Sequence, residues 1–186
     1  MVSRLLALAL LLPLGAPAAE LAGVQLPDRT QVAARELALN GTGLRTRFFF
    51  KVYVIGLYLT EKKNDPAAVL ALPGPKRVAI HMLRDVGADT FSEALVEGLK
   101  ANQSEAEYRA LEPRVQQLEA IMAQVQEAKQ GMAIALDWTG SATQVSIDGR
   151  PTGAPIAGED FYRALLRIWL GEHPVQEDLK QGLLGS

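Results

Sequence analysis

One run of residues, Phe48 to Leu59, constrains the fold of this chain more than any other segment. It contains Phe48, Phe49, Phe50, Val52, Tyr53, Val54, Ile55 and Tyr58, and Lys51 is the one charge inside it. Aromatic and β-branched side chains lose rotamer freedom in a helix but fit the pleated surface of a sheet. A run with so little polar alternation belongs to a strand covered on both faces. The segment is read as a long central strand, with Lys51 reaching out to the sheet rim. The rest of the chain has to be arranged around it.

Other strands flank this run. Leu37-Ala38-Leu39 leads into Asn40-Gly41, a turn or bulge signal, and Leu44 to Arg47 resumes extended structure. Lys76 to Arg84 alternates, with Val78, Ile80 and Met82 on one face. Met132–Trp138 and Ala142–Ile147 are two further strands joined through Thr139-Gly140-Ser141, and Asp148-Gly149 marks a tight turn. Helices fill the gaps. Asp65-Pro66 is a cap and first turn for a short helix through Leu70. Phe91, Ala94, Leu95, Gly98 and Leu99 fall on one helical stripe. Ser104 and Glu107 form a capping box that opens a second stripe of Tyr108, Leu111, Val115, Leu118, Met122 and Val125. Pro113 is expected to kink or split that helix near Leu111, and Gly131 to end the helical region. Phe161, Leu165, Ile168 and Trp169 define a later helix, and Val175, Leu179 and Leu183 a last one. Blocks of strands and helices segregated in this way predict an α+β fold, with an antiparallel sheet backed by helices on one face.

The first residues have a different character. Arg4 precedes the apolar run Leu5 to Leu12, then Pro13 and the small residues from Gly15 to Ala19. This is the pattern of a secretory signal peptide over residues 1–19, which places residues 20–186 as one domain in the periplasm. The alternative, a membrane anchor, needs about 20 apolar residues, and this run falls well short. The chain has no cysteine, which excludes lipid attachment at that residue, disulfides, thiol catalysis and thiolate metal sites. The formal charge of −2, which becomes −3 once Arg4 is removed, comes without a basic cluster and argues against nucleic acid as a partner. His81 and His173 stand apart with no ligand spacing, so no metal is expected. No cofactor is expected either: Gly41-Thr42-Gly43 is too short for a dinucleotide fingerprint, and Gly140-Ser141 lacks a nucleophile elbow.

Gly41-Thr42-Gly43-Leu44-Arg45, followed by Phe49-Phe50-Lys51-Val52-Tyr53-Val54-Ile55-Gly56-Leu57-Tyr58-Leu59, resembles the signature of the chalcone isomerase superfamily. The tail from Ala164 to Gly171, with His173-Pro174-Val175 and the helix to Leu184, is similar to the closing helices of that family. The resemblance covers most of residues 23–184 and extends to exported bacterial members. It implies an open-faced β-sandwich, in which a large antiparallel sheet is covered by helices over a hydrophobic cleft. In the isomerases an arginine, a threonine, a tyrosine and an asparagine line the cleft and assist closure of a phenolate onto an unsaturated ketone. Arg45 matches the arginine, whereas Tyr53 stands in the threonine's place, Phe91 in the tyrosine's and Gly98 in the asparagine's. The other branch of the superfamily binds fatty acids, with arginine and tyrosine holding the carboxylate. Here Arg45 is retained, and Tyr53, Tyr58 or Arg47 would have to take the tyrosine's part.

Three functions follow. The first is periplasmic binding of a lipophilic, fatty acid-like carboxylic acid, with Arg45 orienting the acid. The second is an isomerase-type intramolecular lyase in which Arg45 and Tyr53 stabilise an enolate. The third is a non-catalytic protein that associates with a periplasmic partner or peripherally with a membrane. Against all three stands a structural Arg45 paired with Glu36 or Asp85, and Tyr53 and Tyr58 as core residues.

Overall fold

A computed structural model describes residues 19–185. The expected signal peptide lies outside these residues except for Ala19. Five strands come first: β1 (Ala19–Leu21), β2 (Val24–Leu26), β3 (Arg29–Val32), β4 (Arg35–Arg47) and β5 (Phe50–Leu59). They are followed by α1 (Pro66–Ala71), β6 (Lys76–Met82), β7 (Val86–Gly87), α2 (Ala88–Ala101) and α3 (Glu105–Met122). The chain closes with β8 (Glu127–Ala128), β9 (Ala133–Trp138), β10 (Ala142–Ile147), β11 (Arg150–Pro151), β12 (Ile156–Ala157), α4 (Glu159–Leu170) and α5 (Glu177–Leu183). An antiparallel sheet runs in the order β11-β10-β9-β6-β5-β4-β3, and β12 also pairs with β10.

The central strand is β5, and its alternate residues feed two separate cores. Tyr53, Ile55, Leu57 and Leu59 face the helices, where buried residues of all five helices meet them. Val54 and Tyr58 face the other way, into a smaller core with Leu26, Leu37 and Leu39 that the β1–β2 hairpin covers. The Tyr58 hydroxyl donates there to the Pro27 carbonyl at 3.0 Å. Beside it, Arg77 grips Asp137 through two bonds of 2.6 Å and tethers Thr30, which ties β6, β9 and β3 together on the outer face.

Two bulges re-aim β4 and β5. Leu39 pairs with Tyr58 but Gly41 with Leu57, so Asn40 is an extra residue. Its side chain accepts from the Lys63 amide and donates to the Lys63 and Leu183 carbonyls. Nearer the end of the hairpin, Arg45 pairs with Tyr53 but Thr46 with Lys51, which makes Val52 the extra residue of β5. After the first bulge, Gly41, Gly43 and Arg45 all look toward the helices. The two glycines seat α5: a Cβ on Gly41 would stand 2.2 Å from the Gly182 carbonyl oxygen, and one on Gly43 2.7 Å from Leu179 Cγ.

The structure departs from expectation in several places. Phe48 and Phe49 do not belong to the central strand. They form the two-residue tip of the β4–β5 hairpin, and Phe48 has a left-handed φ of 55°. For a bulky side chain such a conformation costs about 1–2 kcal/mol. α3 continues through Pro113 without being split. Pro113 is exposed, so the Arg109 carbonyl that loses its helical partner is open to water. The Ser104–Glu107 capping box forms as expected. Helical structure stops at Val125, before Gly131, because Glu127–Ala128 pairs with Val86–Gly87.

Burial of the tyrosines gives the fold a pH limit. Desolvation pushes the Tyr53 and Tyr162 phenols above their ordinary value and Tyr58 up to about 12. A folded-state value above the unfolded value of about 10 means that the stabilisation is complete below pH ~10 and is lost as pH rises through the folded value. Alkaline titration should therefore show the phenolate absorbance of these three tyrosines and loss of structure rising together. Full phenolate formation at pH ~10 with the fold intact would contradict the burial.

Candidate functional site

The bulge at Val52 puts Val52 and Tyr53 under the end of the hairpin, opposite Arg45 and Arg47 of β4. Val86, with Thr90, Phe91 and Leu95 of α2, lies across from them, and Ile168 and Trp169 of α4 close the inner end. Together with Val175 these residues bound a cavity of about 80 Å³ with mostly apolar walls.

Arg45 is anchored on one side only. Its Nη1 donates to the Thr46 carbonyl at 3.0 Å, the Val175 carbonyl at 3.1 Å and the Gln176 side-chain oxygen at 3.3 Å. Gln176 in turn accepts from the Thr46 amide and donates to the Leu44 carbonyl, so the turn before α5 is laced to the end of β4. No carboxylate among the described residues pairs with Arg45. Glu36 pairs with Arg29 instead, and Asp85 accepts from the Gln130 amide at 2.7 Å. The structural pairing considered for Arg45 is thus absent, and its Nε and Nη2 have no partner among the described residues.

Tyr53 completes the polar part of the cavity. Its hydroxyl accepts from Trp169 Nε1 at 3.0 Å. An indole N–H only donates, so the phenol proton is left over, with no protein acceptor among the described residues. Burial raises the phenol above its ordinary value, against the opposing pull of the Trp169 bond and the Arg45 charge. The group therefore stays protonated and able to donate at any physiological pH. One apolar cavity thus brings together a guanidinium edge and a phenol proton, both uncommitted. That pair can grip a carboxylate, or any oxyanion, from two directions.

The remaining candidates separate. Arg47 and Phe91 line the cavity, Phe91 contributing only apolar wall. Tyr58 is excluded from it, because it lies on the opposite face of the sheet and its hydroxyl is held by Pro27. Gly98 does not line the cavity either. A Cβ there would fall 2.7 Å from Ile168 Cγ2, so the missing side chain lets α4 lie close on α2. The sequence reading missed the roles of Gln176 and Trp169. Trp169 could have been recognised: an N–H donor on an otherwise apolar helical stripe needs a buried acceptor. Nothing in the sequence marks Gln176.

A larger cleft of about 630 Å³ opens where α1, α2 and the α4–α5 turn meet. Its polar groups largely satisfy one another. Asn102 bonds the Gly98 and His173 backbone, Arg167 bonds Gln103, and Lys180 caps the Gly171 carbonyl. Among the described residues no group of histidines, aspartates and glutamates is arranged to hold a metal ion, and no helix is long and apolar enough to cross a membrane.

Comparison with known proteins agrees with this architecture. A family model described as chalcone isomerase-like matches residues 18–185. A search of curated protein sequences finds no match. Among solved structures, a fatty-acid binding protein of Arabidopsis thaliana superposes with a TM-score of 0.64 at 15% identity, over 87% of this chain and 92% of that one. At that identity the likeness concerns the fold.

Proposed function

The chain belongs to the chalcone isomerase-like family, and from that premise we propose that it binds a lipophilic carboxylic acid of the fatty-acid kind in the cavity between sheet and helices. The observation that carries the reading is Arg45, whose only partners among the described residues are neutral oxygens that accept from Nη1. Arg45 is partly buried beside apolar walls with no carboxylate partner among the described residues, and an incoming carboxylate supplies that counter-charge. Tyr53 donates the second bond. A solved neighbour of the same fold that is named a fatty-acid binding protein supports the reading.

The two ends of such a ligand do different work. Each methylene buried contributes about 0.8 kcal/mol, so the tail supplies most of the affinity. The charge-assisted bond to arginine adds about 1.5–3 kcal/mol and selects acids over neutral lipids. The 80 Å³ cavity is small beside the roughly 300–1,000 Å³ of ordinary ligand pockets and admits the head group with its first carbons. A longer tail lifts α2, at Phe91 and Leu95, away from α4. In this reading the protein works in the periplasm after loss of residues 1–19. The lyase alternative lacks support at two positions, since Phe91 and Gly98 offer no polar side chain where the isomerases use a tyrosine and an asparagine.

The test is a comparison of head groups on one tail. A long-chain carboxylic acid should bind about tenfold or more tighter than the alcohol of equal length, a difference lost when pH falls far enough to protonate the acid. Equal affinity for acid and alcohol at neutral pH would refute the acid-binding reading.

A further inference from the structure

The β4–β5 hairpin carries apolar surface that the fold does not use. Phe48, Phe49 and Phe50 are 85%, 100% and 57% exposed. Arg47 and Phe50 form the last pair of the ladder, so Phe48-Phe49 is the whole turn. Two-residue hairpin turns favour asparagine and glycine, which accept a left-handed backbone readily. Here phenylalanine takes that conformation at position 48 and gains no buried contact in return. Neither turn geometry nor packing accounts for aromatic residues at these positions.

Three cations stand close to the tip. Arg47, Lys51 and Arg84 are all exposed, and the Arg84 guanidinium lies 4.4 Å over the Phe50 ring. Asp85, the acid that follows Arg84, accepts from the Gln130 amide at 2.7 Å. This cationic collar stands out in a chain whose net charge is −2.

We propose that the hairpin tip docks on an anionic membrane, with Phe48, Phe49 and Phe50 entering the interfacial layer and Arg47, Lys51 and Arg84 meeting the lipid head groups. A bilayer suits a narrow finger because it needs no complementary pocket and accepts aromatic rings beside cations. A protein partner or second copy fits less well, since a stable interface covers about 800 Å² on each side and three rings on a two-residue turn fall short of that. The docking stands on the tip alone. A consequence rests on the proposed ligand: Arg47 also lines the cavity, so docking brings the cavity to the membrane surface, where a lipophilic acid can pass without crossing water.

The test is co-sedimentation of the full chain with vesicles of phosphatidylcholine, with and without phosphatidylglycerol. All variants share the same N terminus, so differences between them report on the tip. The wild-type chain should sediment with the phosphatidylglycerol vesicles, and less as salt is raised. Phe48→Asn combined with Phe49→Gly should weaken partitioning on the order of tenfold per ring removed. The same variant should melt no lower than wild type, because its turn is better suited to the hairpin. Lys51→Glu with Arg84→Glu should abolish the preference for phosphatidylglycerol. A wild-type chain left in the supernatant, or equal sedimentation of the Phe48→Asn/Phe49→Gly variant, overturns the proposal. Loss of a dimer in that variant without any vesicle binding overturns it too, and assigns the tip to a second copy. Fatty-acid binding in the absence of vesicles should be unchanged by Phe48→Asn with Phe49→Gly, so failure of docking and failure of the ligand reading are separately visible.

Discussion

Gly41→Ala is expected to lower the melting temperature by roughly 6–12 °C, from about 3 kcal/mol of lost stability. The added Cβ would lie 2.2 Å from the Gly182 carbonyl oxygen, 2.6 Å from that of Leu183 and 2.8 Å from the Leu183 carbonyl carbon. All three are backbone atoms, so no side chain can rotate away. α5 has to move, and its movement strains the bond from Asn40 to the Leu183 carbonyl. Gly43→Ala meets a side-chain atom first, Leu179 Cγ at 2.7 Å, although the Leu179 carbonyl oxygen follows at 2.9 Å. Its effect should be smaller. Gly87→Ala is the control: nothing lies within 4 Å of a Cβ there, and the change should cost less than about 1 kcal/mol. Thermal denaturation of the three variants checks the order, and a Gly41→Ala chain as stable as wild type would contradict the close seating of α5.

The second large effect concerns the ligand. Arg45→Leu should weaken binding of a long-chain acid about tenfold to a hundredfold and leave binding of the matching alcohol nearly unchanged. Tyr53→Phe should have a smaller effect on affinity, within about tenfold, because a neutral bond contributes less than a charged one. It should also destabilise the apo protein by about 1–3 kcal/mol, because Trp169 Nε1 loses its buried acceptor. The two substitutions should be non-additive, since both groups hold the same head group. Isothermal titration of the wild type, both single variants and the double variant reads these quantities. If Arg45→Leu weakens acid and alcohol equally, the arginine acts on the shape of the cavity and the charge assignment fails.

Much of this architecture is legible in the residues, for reasons that differ by element. The stripe Phe91, Leu95 and Leu99 and the capping box at Ser104 are local patterns, and both are found where the sequence puts them. β5 is recognised from composition, but which of its tyrosines faces the helices is not. Alternation decides between Tyr53 and Tyr58 only if the strand's orientation is known, and the bulges at Asn40 and Val52 shift the phase on either side of it. The extra residue at Asn40 is held by contacts with Lys63 and Leu183, the latter 143 positions away in the chain, which no local pattern encodes. Phe48 and Phe49 mislead for another reason. Their composition is that of a strand, whereas the chain reverses there without the asparagine or glycine that ordinarily announces a turn. The strands of two to four residues, among them β7, β8, β11 and β12, have too few side chains to form a pattern and exist because a neighbouring strand pairs with them. The Gly-x-Gly of residues 41–43 shows a motif whose meaning is tertiary: the glycines make room for the backbone of α5, and α5 in turn brings Val175 and Gln176 to Arg45.

The central claim is that the fold keeps Arg45 free for the head group of a lipophilic acid. Native mass spectrometry of the purified chain, followed by organic extraction and identification of the bound species, tests it most directly. The account predicts a mass increment that corresponds to a long-chain carboxylic acid and is lost in Arg45→Leu. A wild-type chain that carries nothing, and still carries nothing after incubation with excess fatty acid, would contradict it.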